Sequence, residues 1–164
     1  MSRLKTLIDA FNKLPEYSIE IGIPDGQTER DRKKDKKETG KESSLNNAQI
    51  LFIQENGSPL HHIPARPVLH MTIDWAIENE LKPTIKRAVK AYIKSKFNQD
   101  ELEKEFKKMG ERMMIHAQDI IYLNDGRLEP NAPSTIAQKK EIGNHPLFRT
   151  GQLARSITYQ VTKK

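Results

Sequence analysis

The sequence has no cysteine in its 164 residues, which excludes a disulfide framework, a thiolate metal site and a cysteine nucleophile. Long apolar runs are missing too. The longest is Ile50-Leu51-Phe52-Ile53, against the roughly 20 residues needed to cross a bilayer. The opening MSRLKTLIDAF lacks the apolar stretch of a signal peptide. A soluble chain with no membrane partner, not exported by that route, is therefore expected. Aromatic residues make up only 6% and hydrophobic residues 35%, with a mean hydropathy of -0.75. That is polar for a compact protein, yet apolar residues recur with helical and strand periods, so the chain should fold. Its length suits one domain with a real core.

Several catalytic signatures are also absent. There is no G-x-S-x-G elbow, no phosphate-binding Walker loop and no G-x-G-x-x-G opening a helix. His61, His62 and His70 lie close in sequence, with His116 and His145 elsewhere, but no H-x-x-x-H pair or carboxylate set completes a metal site. Glu101 and Glu105 fall among lysines on a polar helix face, where solvated ion pairing accounts for them. No enzyme activity, metal or cofactor is expected.

What is present is charge, unevenly placed. The net charge is +6. Residues 82–96 hold Lys82, Lys86, Arg87, Lys90, Lys94 and Lys96 without one Asp or Glu, so the remainder balances. Ile85, Val89, Tyr92, Ile93 and Phe97 repeat on one helical face of this stretch, which leaves Lys86, Arg87, Lys90 and Lys94 on another. Such a face suits an acidic partner surface or phosphates. Plain solvation is the simpler alternative, and Tyr92 falls on the apolar side, so no base-stacking platform is apparent. From residue 27 to 44 charges of both signs crowd a stretch without Ile, Leu, Val or an aromatic ring. Nothing there offsets ordering entropy, so a mobile loop is expected.

The rest reads as alternating helices bounded by two strands. Leu4, Leu7, Ile8 and Phe11 hold helical spacing up to Pro15. Tyr17, Ile19, Ile21 and Ile23 alternate with polar residues as a strand before Pro24-Asp25-Gly26. Asn46 or Asn47 caps a helix that stops at Asn56-Gly57. Pro59, Pro64 and Pro67 then enforce an extended path into a helix ended by Pro83, where another begins. Asn98 with Glu101 forms a capping-box pattern opening the longest helix, which includes Gly110 and closes at Asn124-Asp125-Gly126. A short helix starts near Pro133, and Ile157, Tyr159 and Val161 alternate as a last strand. The expected fold is α+β, a helix-rich single domain with a small antiparallel sheet formed by strands near both ends of the chain.

Two stretches are more specific. One runs Ala48-Gln49-Ile50, Ile53-Gln54-Glu55-Asn56-Gly57-Ser58-Pro59 and Ile63-Pro64-Ala65-Arg66-Pro67-Val68-Leu69. The other runs Pro133-Ser134-Thr135-Ile136-Ala137, then His145-Pro146-Leu147-Phe148-Arg149-Thr150-Gly151-Gln152-Leu153-Ala154-Arg155-Ser156-Ile157-Thr158-Tyr159-Gln160-Val161. In this order they resemble the "E-x-G-[ST]-P, I-P-x-R-P-x-L" and "P-S-T-I … P-L-x-x-T-G-x-L-x-x-S-I-x-Y-x-V" patterns of the tail-completion, head-tail joining (neck) proteins of tailed bacteriophages, including the Mu-like virion-morphogenesis proteins. The chain departs from the pattern in its charged insertion, 28–43, and in Asn56, where an aromatic residue is frequent.

The resemblance implies a structural virion protein, found in the host cytoplasm during assembly, that forms a ring with itself, six copies being the expected number. Its neighbours would be the head connector and the tail terminator or tail tube proteins. A basic module contacting DNA without sequence preference is the alternative. Candidate interface residues are Glu55, Gly57, Arg66, Lys86, Arg87, Lys90, Lys94, Thr150 and Gly151. Arg66, fixed by flanking prolines, should point toward a carboxylate or carbonyl, in a neighbour or in its own subunit. Thr150 and Gly151 also suit a turn into the last strand.

Overall fold

The strands expected near opposite ends of the chain pair with each other. In the computed structural model, which describes residues 8–12, 15–24, 45–139 and 143–164, β1 (Tyr17–Gly22) runs antiparallel to β2 (Thr158–Lys163). The register sets Ile19 opposite Val161 and Ile21 opposite Tyr159. The fold is α+β, helix-rich, with this one two-stranded sheet among the described residues. The stretch read as a mobile loop, 27–44, lies outside the described residues, as do positions 1–7 of the first helix.

Between the strands come α1 (Asn47–Asn56), α2 (Val68–Ala76), a π-turn (Ile77–Leu81), α3 (Lys82–Lys94), α4 (Asp100–Tyr122), α5 (Pro133–Gln138) and α6 (Gln152–Ser156). Asn46 caps α1 reciprocally: its Oδ1 accepts from the Gln49 N–H at 2.8 Å, while the Gln49 side chain accepts from the Asn46 N–H at 3.0 Å. The Asn98–Glu101 box does not form. Lys96 and Phe97 take φ of 56° and 71° and turn the chain, and α4 begins at Asp100, whose N–H bonds to Asn98 Oδ1.

Pro83 does not break the helix either. α2, the π-turn and α3 run on as one helical path, and the wide turn stands where the proline ring would crowd the preceding turn and remove a donor.

α4 is the central element, packed against α2, α3, α6 and both strands. The main core gathers Val68, Ile120, Ile121, Leu153 and Ile157 beneath Ile21. A second cluster places Ala76, Met109 and Met113 under Ile19 and Trp75, and a third places Ala88, Tyr92 and Leu102 against Tyr17 and Phe106. Gly110 lets β2 approach α4, since a Cβ there would stand 2.3 Å from Tyr159 Cδ2. Among the described residues no helix is long and apolar enough to cross a membrane.

Candidate interaction site

The first motif folds inward. After α1, the backbones of Ser58 and Ile63 bond to each other around a 3₁₀ turn at Pro59–His61, so this part is a tight loop rather than the extended path expected. Proline's fixed φ suits the start of such a turn. Gly57 makes the loop possible. Its φ is 71°, and a Cβ would lie 2.8 Å from Ala65 N and 2.9 Å from Ile63 O. Glu55 is buried and caps α2 from a distance: its carboxylate accepts from the Leu69 N–H at 3.0 Å and the His70 N–H at 2.9 Å, with His70 Nδ1 at 2.7 Å. An anion at a helix N-terminus satisfies donors that have no partner inside the helix.

Arg66, 6% exposed, finds its acceptors within its own chain. Nε donates to Glu129 O at 2.7 Å, Nη2 to Pro130 O at 2.8 Å and Nη1 to Gln54 Oε1 at 2.7 Å. Burial lowers its pKa from the ordinary arginine value, opposed by the charge of Glu129. The guanidinium thus ties the end of the first motif to the connection leading into the second.

The second motif closes around the same place. Residues of both stretches, among them Gln54, Ile63, Arg66, Phe148, Thr150 and Leu153, line one cleft of about 580 Å³. Gly151 takes a left-handed φ of 73°, and Thr150 Oγ1 accepts from the Gln152 N–H at 3.3 Å, so both residues turn the chain into α6 and on to β2. Lys139 Nζ donates to His145 O at 2.6 Å and Phe148 O at 2.8 Å. Burial, then the charges of Arg149 and Arg66, pull its pKa down to about 8. Two cations donating to backbone carbonyls fix loop geometry, and sequence reasoning missed Lys139 because carbonyl acceptors carry no side-chain signature.

The basic helix is divided. Arg87 is drawn into an intrachain network: Nε meets Glu105 Oε2 at 3.1 Å, Nη2 donates to Thr84 Oγ1, and Glu80 lies at 3.7 Å. Hydrogen bonds from Lys108 and then Arg87 hold the Glu105 carboxyl below its usual pKa. Lys86, Lys90 and Lys94 are exposed and make no ion pair with another described residue.

The inward face of α3 is Thr84, Ala88 and Tyr92 rather than the expected row through Ile85 and Ile93, which are 46% and 45% exposed. The π-turn changes the helix phase before α3 begins, and a uniform 3.6-residue period does not describe that.

Outside these contacts the first motif leaves two large apolar side chains in solvent, Phe52 at 70% and Leu60 at 84% exposure. Neither was singled out from sequence. The histidines are dispersed: His116 stacks on Trp75 with centroids 4.2 Å apart, and His145 bonds to Ile121 O and stacks on Phe148. Among the described residues no group of three or more His, Asp or Glu comes together to hold a metal. No protein-family model, curated protein or solved structure matches the chain.

Proposed function

We propose that this chain is a structural protein of a tailed phage particle that joins or completes the tail at the head-tail interface, working as an oligomeric ring and catalysing nothing. The observation that carries the reading is the meeting of the two motif stretches. Residues 48–69 and 133–161, separated by α3 and α4, converge on one cleft lined by Arg66, Thr150 and Gly151, while Glu55 and Gly57 shape the first stretch and Arg66 ties it to the connection at Glu129 and Pro130. Beside them Phe52 and Leu60 stay exposed, the kind of apolar anchor that assembly interfaces bury. Around a ring, repeated weak contacts add to a durable joint.

The test is a phage lacking the chain. It should fill heads with DNA and build tails that remain unjoined, and purified protein added to its extract should restore infectivity without new synthesis. Empty heads, missing tails or normal infectious particles would refute the assignment.

A second reading, nonspecific DNA contact, rests on the exposed row Lys86, Lys90 and Lys94. It requires duplex binding that weakens steeply with added salt. Salt-insensitive binding, or none at physiological salt, would reject it.

A further inference from the structure

We propose that α2, the π-turn and α3 form a self-complementary docking face, on which a second copy of this chain packs antiparallel about a two-fold axis. The helical path from Val68 to Lys94 is about 40 Å long at 1.5 Å per residue. Every fourth position along it is apolar: Ile73, Ile77, Leu81, Ile85, Val89 and Ile93. All but Val89, which is half-buried, are exposed, Ile77 most at 56%. A four-residue step overshoots a helical turn by about 40°, so such a row should wind around an unbroken α-helix. The wider π-turn at Ile77–Leu81 runs the other way and returns part of the drift, which keeps the apolar residues on one side.

The next column decides what covers them. Asp74, Glu78, Lys82, Lys86, Lys90 and Lys94 follow the apolar row one residue on, all exposed. None forms an ion pair with another described residue. The charge is polarised along the helix, acidic first and basic after.

A second copy laid antiparallel sets Asp74 against Lys94 and Glu78 against Lys90 on both sides of the axis. Lys82 against Lys86 is then the one like-charged pairing. A parallel copy would set every charge against its own kind. Burial of the isoleucines supplies affinity while the charges select direction. An isologous contact of this kind needs one surface matching itself, which this column does. DNA would match the lysines and leave the isoleucines in water. A two-fold pair closes on itself, so it is a state of the free chain distinct from the ring proposed above, and either can fail without the other.

Sedimentation equilibrium of the full chain at micromolar concentration should show a dimer. Ile77→Ser with Ile85→Ser should weaken it about 100-fold or more without changing the circular dichroism. Asp74→Lys with Glu78→Lys should weaken it as well, and adding Lys90→Glu and Lys94→Glu to that variant should restore it. This charge exchange decides the matter if the serine variant fails to fold. Because the chain has no cysteine, mixed Ile73→Cys and Ile93→Cys chains report direction directly: disulfides between 73 and 93 should outnumber those between 73 and 73. A monomeric wild-type chain would overturn the proposal. So would an oligomer unaffected by the serine substitutions, failure of the charge exchange to restore pairing, or predominant 73–73 linkage.

Discussion

Substituting Gly110 by alanine sets two effects of opposite sign against each other. In an exposed helix interior the change should stabilise by about 1 kcal/mol, because glycine gives up more backbone freedom than alanine on folding. At this position the added methyl enters the Tyr159 ring. An ideal Cβ lies 2.3 Å from Cδ2, 2.8 Å from Cε2 and 2.9 Å from Cγ, all closer than carbon atoms approach, so the ring or strand β2 must move. Overpacking of this kind costs about 1–3 kcal/mol. The steric cost should win, for a net loss of up to about 2 kcal/mol, equivalent to a fall in Tm of about 2–4 °C per kcal/mol for a chain of this size.

The sign is what makes the experiment informative. In a Tyr159→Ala background the clash disappears, and the same Gly110→Ala change should stabilise by about 1 kcal/mol, giving a coupling of about 1–3 kcal/mol in a double-mutant cycle. Urea titrations followed by circular dichroism at 222 nm on all four proteins would measure it. If alanine stabilises in both backgrounds, β2 does not depend on the missing side chain. Destabilisation in both would assign the cost to α4 itself rather than to the ring.

Arg66→Ala should cost about 2–4 kcal/mol in denaturant unfolding, because two backbone carbonyls and Gln54 Oε1 lose their donor in a buried place; Arg66→Lys should recover only part, since one ammonium does not reproduce the planar fork. Glu55→Gln should cost about 1 kcal/mol by removing one of the two backbone contacts that cap α2, and slowed amide exchange at Leu69 relative to wild type would contradict it. Lys139 has a folded pKa of about 8 against an ordinary 10.5, so the unfolded chain binds more protons between those values and stability gains from this group as pH rises from about 8 toward 10.5. The wild-type minus Lys139→Gln difference in urea midpoint should therefore grow as pH rises from about 8 toward 10.5, and a difference that does not change with pH would refute the assignment. Phe52→Ser with Leu60→Ser should leave the urea midpoint nearly unchanged and abolish rescue of a head-tail joining defect, whereas intact rescue would remove these side chains from the interface.

Legibility in the sequence followed the range of the signal. The strands were readable because Ile19, Ile21, Tyr159 and Val161 alternate locally, and the Asn46 cap because its partner Gln49 lies three residues on. Pairing between the first and last strands was also anticipated. The inward face of α3 was less readable: Pro83 reads as the end of one helix and the start of another, whereas a π-turn carries α2 into α3, and Thr84 and Ala88 go inside while Ile85 and Ile93 stay out. Nothing local to Gly110 indicates that Tyr159, 49 residues away in sequence, packs against it. That Arg66 should meet a carboxylate or carbonyl was legible, but which one was not, and the bonds of Lys139 carried no signal at all. Their acceptors are mostly main-chain oxygens, which every residue carries, and only the folded path of the chain selects Glu129, Pro130, His145 and Phe148.

That difference bears on how the two motifs should be interpreted. Gly57 and Arg66 would be required by any protein that folds this way, whatever it binds, because one lets a loop pass against the Ala65 backbone and the other holds the connection at Glu129 and Pro130. Loss of assembly on mutating them would report unfolding as readily as a broken joint. Side chains that the fold does not need separate the two. Leu60 sits at the tip of a loop whose shape is fixed by the paired backbones of Ser58 and Ile63, and its removal should cost little stability, since the side chain is already in water. A fixed loop that presents a hydrophobic residue has less conformational entropy to lose on docking than a mobile one. The inward residues of the motif therefore account for its rigidity, and its outward residues are where a partner surface has to be sought.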